Sequence, residues 1–174
     1  PSYEGQTLIT QSVRMDADAH VLSLALAESG KINLVSLQYI DFRAAKDEDP
    51  EIKEQGILKT SESLSLAGAD ANTRGILVGQ DWYFVVGNKV YTSPVLKPQL
   101  ADLTTLPDDL GVPVAVAVTS KETHLVIATY DAGSSHENKG SFALVDLTTK
   151  EVKVHRNVMG KCVVAKGYDA NPWF

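Results

Sequence analysis

Val114-Ala-Val-Ala-Val118, His124-Leu-Val-Ile-Ala-Thr-Tyr130, Ser141-Phe-Ala-Leu-Val-Asp146 and Val152-Lys-Val-His155 are four strand-like runs within the stretch Val112 to Met159. The first is continuously apolar, the second and third are rich in β-branched and aromatic residues, and the fourth alternates. Such side chains suit a pleated surface that is half or fully buried. Polar turn sequences separate the runs: Ser120-Lys-Glu-Thr123, the longer loop Asp131 to Gly140, and Thr148-Thr-Lys-Glu151 after an aspartate placed to cap it. The stretch reads as one complete four-stranded antiparallel unit, a blade, and no catalytic motif interrupts it.

Upstream, the same grammar recurs in a degenerate form. Thr7 to Met15 has strand propensity, and His20-Val-Leu-Ser-Leu-Ala-Leu-Ala27 and Lys31-Ile-Asn-Leu-Val-Ser-Leu-Gln-Tyr39 flank Glu28-Ser-Gly30 with hairpin spacing, the glycine supplying a positive φ. Alternation sets Ile32, Leu34 and Ser36 on one face of the second arm and Asn33, Val35 and Leu37 on the other. Neither face is clearly polar, which predicts cover on both sides. Lys46-Asp-Glu-Asp-Pro-Glu51 lies in a charge-dense run from Asp41 to Gly56 that reads as an exposed loop. It lacks the Asp-x-Asp-x-Asp-Gly order of a calcium loop. Ile57 to Ser63 resumes as an outer strand, and Leu64 to Asn72 reads as a short helical turn or a crossover between units.

Gly75 to Gly79, Trp82-Tyr-Phe-Val-Val86 and Lys89-Val-Tyr-Thr92 form the next set, and Gly87-Asn88 is a two-residue hairpin signal of the type I′ kind. Pro94 and Pro98 close it, and Leu100 to Pro107 leads on to Asp108-Asp-Leu-Gly111. After Gly160, Lys161-Cys-Val-Val-Ala-Lys166 begins one more strand and Tyr168 to Phe174 is a tail. The hairpins near Ser29, Asn88 and Glu122 recur on the scale of propeller blades. The expectation is a single all-β domain over 1–174, a partial β-propeller-like array of about three antiparallel blades at about 7–66, 75–107 and 112–159. Three blades fall short of the 4 to 8 that close a propeller. Open edges and an exposed apolar face are expected, to be covered by further chain or by a homo-oligomer.

Composition bounds the function. The chain has 174 residues, 44% of them hydrophobic, and a net charge of −6. That fits a globular domain. With a pI near 5.1 and no Lys/Arg-rich run, a nucleic-acid partner is not expected. Cys162 is the one cysteine, so the chain holds no internal disulfide and no cysteine-based zinc site. No apolar run approaches the roughly 18–20 residues of a membrane-spanning helix. A chain opening on Pro1-Ser-Tyr-Glu is expected to be a mature, truncated or proteolysed product, with any address label upstream.

Candidate site residues follow from chemistry one at a time. His20, His124, His136 and His155 are scattered without ligand spacing, so no metal site is expected and no cofactor is called for. His124 and His155 are expected at strand ends or solvent faces. His136 stands out because Asp131-Ala-Gly-Ser-Ser-His-Glu-Asn138 gathers carboxylates, hydroxyls and an imidazole in one loop, although loops of this kind are ordinarily plain surface. Ser134 and Ser135 beside it lack a nucleophile-elbow pattern. Trp82, Tyr83 and Tyr91 are candidates for a stacking platform for a sugar or peptide, against the ordinary use of strand aromatics as core. Cys162 in an apolar strand reads as an inert thiol, and Trp173 and Phe174 as a contact with a further domain.

Phe84-Val-Val-Gly-Asn-Lys-Val-Tyr91, Leu125-Val-Ile-Ala-Thr-Tyr-Asp131, Lys139-Gly-Ser-Phe-Ala-Leu-Val-Asp146 and Gly160-Lys161 before an apolar strand resemble the C-terminal portion of the PKD-like lipoproteins of Bacteroidetes. Leu22 to Lys31 is similar to the hairpin that precedes it there, so the resemblance covers most of the chain from about His20 onward. Each motif is a structural strand, and no functional residue carries over. The resemblance implies an N-terminal lipidated cysteine and immunoglobulin-like modules upstream, and an outer-membrane, cell-surface location beside TonB-dependent nutrient importers. The expected role is a non-enzymatic binding module that assists capture of a glycan or peptide. The alternatives are a scaffold contacting a transporter or neighbouring lipoproteins, or a propeller hydrolase, for which no convergent pair of carboxylates is legible here.

Overall fold

The computed structural model of the protein describes residues 5–16, 19–40 and 57–160. They form three four-stranded antiparallel sheets, each a meander in chain order and each open at its edges. Sheet I is β1 (Thr7–Asp16), β2 (Ala19–Glu28), β3 (Lys31–Ile40) and β4 (Ile57–Ser65). Sheet II is β5 (Arg74–Val78), β6 (Asp81–Val86), β7 (Lys89–Pro94) and β8 (Ala101–Thr105). Sheet III is β9 (Val112–Val118), β10 (His124–Tyr130), β11 (Gly140–Asp146) and β12 (Val152–Met159). Among the described residues there is no α-helix, only a single 3₁₀ turn at Asp108–Leu110.

Alternation along β6 explains the packing. Trp82 and Phe84 belong to a core shared with Ala25, Ile32, Leu34 and Leu64 of sheet I, whereas Tyr83 and Val85 belong to a core shared with Leu125, Ile127 and Val145 of sheet III. Successive side chains of a strand face opposite ways, so a run without a polar residue at either phase must be covered twice. Sheet II is therefore the middle layer. Trp82 and Phe84 stack on one another with ring centroids 6.1 Å apart, and the small Ala25 of β2 leaves room for them. Phe84 is wholly buried, which contributes about 1.5–3 kcal/mol relative to leaving such a side chain exposed.

The leading strand of each sheet lies beside the leading strand of the next, β1 by β5 and β5 by β9. Gly75 makes the first approach possible: a Cβ there would stand 3.1 Å from Ile9 Cγ2, 3.0 Å from Phe84 Cδ1 and 3.1 Å from Tyr83 O. The second approach is tied by Arg74, whose Nε donates to Val114 O at 3.0 Å. All three leading strands thus start at one end.

Both linkers between sheets return to that end by the same device. Leu66 N donates to Gly30 O at the β2–β3 turn, and Leu106 N donates to Asn88 O at the β6–β7 turn. Each linker then buries apolar residues in the seam it spans, Leu66 and Ala69 in the first and Leu106 and Leu110 in the second.

Among the described residues the expected strands are present, with four corrections. Leu100 to Pro107 is not a mere connection: Ala101–Thr105 is the fourth strand of sheet II, paired with β7. Of the two readings of Leu64 to Asn72, the crossover between units holds and the helical turn does not; Leu64 and Ser65 end β4 and turns follow. At Gly87-Asn88 only Gly87 has a positive φ, 57°, as in a type II′ turn and not the type I′ form. The turn at Glu122 joins β9 to β10, so it is not equivalent to Ser29 and Asn88; the counterpart in sheet III is the loop between β10 and β11. Gly30 takes its expected positive φ of 75°. Cover on both sides of the β2–β3 hairpin is as expected: Ala25 and Ile32 on one face and Leu26 and Val35 on the other are buried. Asp41 to Gly56, Lys161 to Lys166, Cys162 and the tail with Trp173 and Phe174 lie outside the described residues.

Truncating the shared layer is the sharpest check of this packing. Phe84→Ala is expected to lower the unfolding free energy by about 3–5 kcal/mol, read as a lower urea midpoint with an unchanged slope. Leu96→Ala, at an exposed loop position, is expected to stay within about 0.5 kcal/mol of the parent.

Candidate functional site: the loop end of the stack

The end at which β1, β5 and β9 start carries the Ser29-Gly30 turn, linker 66–73, the Gly87-Asn88 turn, linker 106–111 and loop 131–139. Linker 66–73 holds Asp70, Asn72 and Thr73 in contacts with one another; the remaining chemistry-bearing side chains outside the sheets collect in the last two segments, and Gly111 holds those two together. Its φ is 79°, and a Cβ there would lie 2.5 Å from Tyr130 O and 2.8 Å from Asp131 Cα. Only glycine tolerates that backbone conformation so near another chain segment.

Loop 131–139 is shaped by its own backbone. Asp131 N donates to Lys139 O at 2.9 Å and closes the loop, and Ser134 N donates to Asp131 O at 3.2 Å. Asp131 Oδ1 accepts the Gly133 amide at 2.9 Å, and Lys139 Nζ donates to Ala132 O at 2.9 Å. Ser134 Oγ accepts the backbone amide of His136 at 3.2 Å. That is the turn-forming use of a serine hydroxyl, not a nucleophile paired with an imidazole. Ser135, His136 and Glu137 are left on the exposed crest.

Linker 106–111 spreads two adjacent carboxylates in opposite directions. Asn88 Nδ2 donates to Asp108 Oδ1, tying the linker to sheet II. Asp109 takes a two-pronged contact from Arg156 of β12, Nε to Oδ2 at 2.9 Å and Nη2 to Oδ1 at 3.1 Å, tying it to sheet III. The Arg156 guanidinium holds the Asp109 carboxyl below the usual carboxylate range, and Asp109 raises Arg156 in return. Asp109 is thus a carboxylate engaged in an ion pair and not a proton donor near neutrality. Sequence reading missed Asp109, Arg156 and Arg74; the last also donates Nη1 to Ala71 O and Thr73 O.

The other candidates fall elsewhere. Trp82 and Tyr83, 2% and 8% exposed, lie on opposite faces of β6 in different cores, and Tyr91, paired with Phe84, packs against the core that holds Trp82. The structure does not bring the three into one surface platform. Burial raises the Tyr83 hydroxyl above its usual value, with Asp81 adding to it. His155 is exposed on β12 and stacks on Phe142 with centroids 4.6 Å apart. His20 falls within β2.

His124 starts β10 at the opposite end of the stack. Its Nε2 lies 3.4 Å from Asp146 Oδ2, and its Nδ1 lies 2.9 Å from Thr123 Oγ1. Asp146 Oδ1 accepts the amides of Thr148 at 2.8 Å and Thr149 at 2.7 Å, the capping role expected of it. Those amides, Thr149 first, hold its carboxyl below the usual range, with His124 a smaller contributor. His124 and His136 are thus at opposite ends of β10 and share no site. No group of three His, Cys, Asp or Glu residues able to hold a metal occurs among the described residues, and none of their helices is long and apolar enough to cross a membrane.

What the geometry defines is a layered all-β protein with an ordered, polar loop end. No protein-family profile matches the chain, and no curated protein matches it.

The depressed carboxyls fix a direction with pH. Glu28, held low by Lys31, behaves like Asp109 and Asp146. Each is lower in the folded chain than in the unfolded one, so its contribution is complete above the unfolded value and is lost as pH falls through the folded value. Stability is expected to be flat near neutrality and to fall below about pH 4. Asp146→Asn is expected to flatten that acid limb in urea titrations; an unchanged limb counts against the capping carboxylate.

Proposed function

We propose that the three sheets are blades of a propeller-like array and that the chain is a non-enzymatic binding module whose recognition surface is the loop end around His136. The radial arrangement is supported by the leading strands, which run side by side from one end while each sheet packs face to face on the next. A propeller sets the first strands of its blades around a common axis and exposes their connecting loops at the two ends.

One observation carries the functional reading. Almost every apolar and aromatic side chain of the strands is used in packing, while Ser135, His136 and Glu137 stand exposed on a loop whose shape is set by four internal hydrogen bonds and one lysine contact. A preordered polar loop on a rigid scaffold is the usual setting for recognition, and its hydroxyl, imidazole and carboxylate suit a hydroxyl-rich or amide-rich ligand. With the sequence resemblance, this reading makes the module part of a surface lipoprotein that holds a glycan or peptide for an outer-membrane importer.

Titration calorimetry of the chain against glycan and peptide panels tests the capture role. Binding is expected, and His136→Ala is expected to weaken it by about tenfold or more, equivalent to at least 1.4 kcal/mol. Stability should stay within about 0.5 kcal/mol because the side chain is exposed. Absence of binding to every panel member, with co-purification of a transporter, favours a scaffold in place of a capture module.

A further inference from the structure

The three sheets fasten their loop ends in two different ways. In sheets I and II the turn between the second and third strands is held by the linker that follows its own sheet. Leu66 N donates to Gly30 O and Gly30 N to Ala69 O, both at 2.9 Å, and Leu106 N donates to Asn88 O at 2.7 Å. Loop 131–139 occupies the same place in sheet III, between β10 and β11. Among the described residues it meets the linker that precedes its sheet, through Gly111 against Tyr130 O and Asp131 Cα.

The loop's own bonds give it a shape, and its direction from the end of β10 is set at Asp131. The amide, the carbonyl and Oδ1 of Asp131 are bonded to Lys139, Ser134 and Gly133, and Ser134 Oγ in turn takes the His136 amide. Both ends of each of these bonds lie inside the loop, so it is a small body with Asp131 as its hub. Gly111 abuts that hub. What stands behind Gly111 is stiff: Leu106 and Leu110, 3% and 2% exposed, are buried in the seam between sheets II and III. Gly111 itself has φ 79° and ψ −159°, a region of backbone space that is in effect glycine's alone. Two backbones packed this closely pass on a displacement because neither has room to give. The Asp109 and Arg156 pair on the same linker is exposed, and such pairs contribute little, so the weight falls on Gly111.

We infer that Gly111 is a positioning residue for the recognition loop. By seating Asp131 with no side chain between them, it sets where His136 stands, and the affinity for a ligand depends on it without its contacting that ligand. The effect on affinity rests on the recognition role proposed above; the effect on the loop's position does not.

The test is amide resonance spectra of the whole chain carrying Gly111→Ala, with Gly30→Ala as the control. Gly30 shares the positive φ, at 75°, but a Cβ there meets nothing within 4 Å. Both substitutions strain the backbone, and only the first presses on another segment. Gly111→Ala is expected to shift the amide signals of Asp131, Gly133, Ser134 and His136. In calorimetry with the glycan and peptide panels it is expected to weaken the binding seen with the parent chain by about tenfold or more. Gly30→Ala is expected to leave both readings unchanged. A further variant, with one extra glycine inserted between Leu110 and Gly111, lengthens the linker without adding a Cβ, and insertions of this kind in surface connections are well tolerated. It is expected to shift the same signals and keeps the test open if Gly111→Ala does not fold. Loop signals that stay in place in the folded variants overturn the positioning role, whether or not a panel member binds. Equal shifts in Gly30→Ala, or shifted signals with an unchanged affinity, overturn it as well. Shifted signals with no panel member bound by the parent chain leave the positioning of the loop standing and overturn the capture reading.

Discussion

The two-sided burial of β6 is the constraint on which the rest of the structure depends. Trp82 and Phe84 need a partner surface on one side of sheet II, Tyr83 and Val85 on the other, and only two further sheets provide both. Neither seam forms without the middle sheet. The fold is thus a series of nearest-neighbour contacts in which each sheet is stable by virtue of the next, as in other repeat architectures. Gly75 and Arg74, adjacent at the start of β5, set how closely the leading strands approach, the first by having no side chain and the second by bridging to Val114 O.

This division of labour shapes where function can reside. In the middle sheet, β6 is apolar on both faces and leaves nothing there for chemistry, whereas exposed polar residues lie on the outer strands β4 and β12 and at the ends. At the loop end they are first used structurally: Asp108 and Asp109 tie the second linker to two different sheets, and Asp131 and Ser134 shape their own loop. The residues that remain outward after those ties, His136 foremost, are the ones available to a ligand. At the far end, the His124, Thr123 and Asp146 contacts bring the β9–β10 and β11–β12 turns together in a structural clasp. The histidines near the two ends of β10 thereby differ in setting, because one has a carboxylate beside it and the other crowns a loop.

Local signals in the chain varied in how much they revealed. The Ser29-Gly30 and Gly87-Asn88 hairpins and the Asp146 cap were legible because a turn of two residues or an Asx contact is settled by neighbours in sequence. The fourth strand of sheet II was not: Ala101–Thr105 is short, has a charged Asp102 and follows two prolines, and it becomes a strand by pairing with β7. The Asp109 and Arg156 contact was equally hidden, since its partners lie 47 positions apart. The aromatic trio was ambiguous for a related reason. Alternation put Trp82 and Tyr83 on opposite faces of one strand, yet whether either face met water depended on sheets elsewhere in the chain.

By itself, then, the amino-acid sequence determined that the protein is all-β, where most strands and turns lie, and that three similar units follow one another. Those properties rest on backbone preferences and on period-two alternation, which act over a few residues. Tertiary structure decided that sheet II is buried on both faces, that the candidate aromatics pack in the cores, and that adjacent aspartates serve different sheets. The physical reason is that burial and ion pairing depend on which surfaces meet, and that is fixed only when the sheets pack.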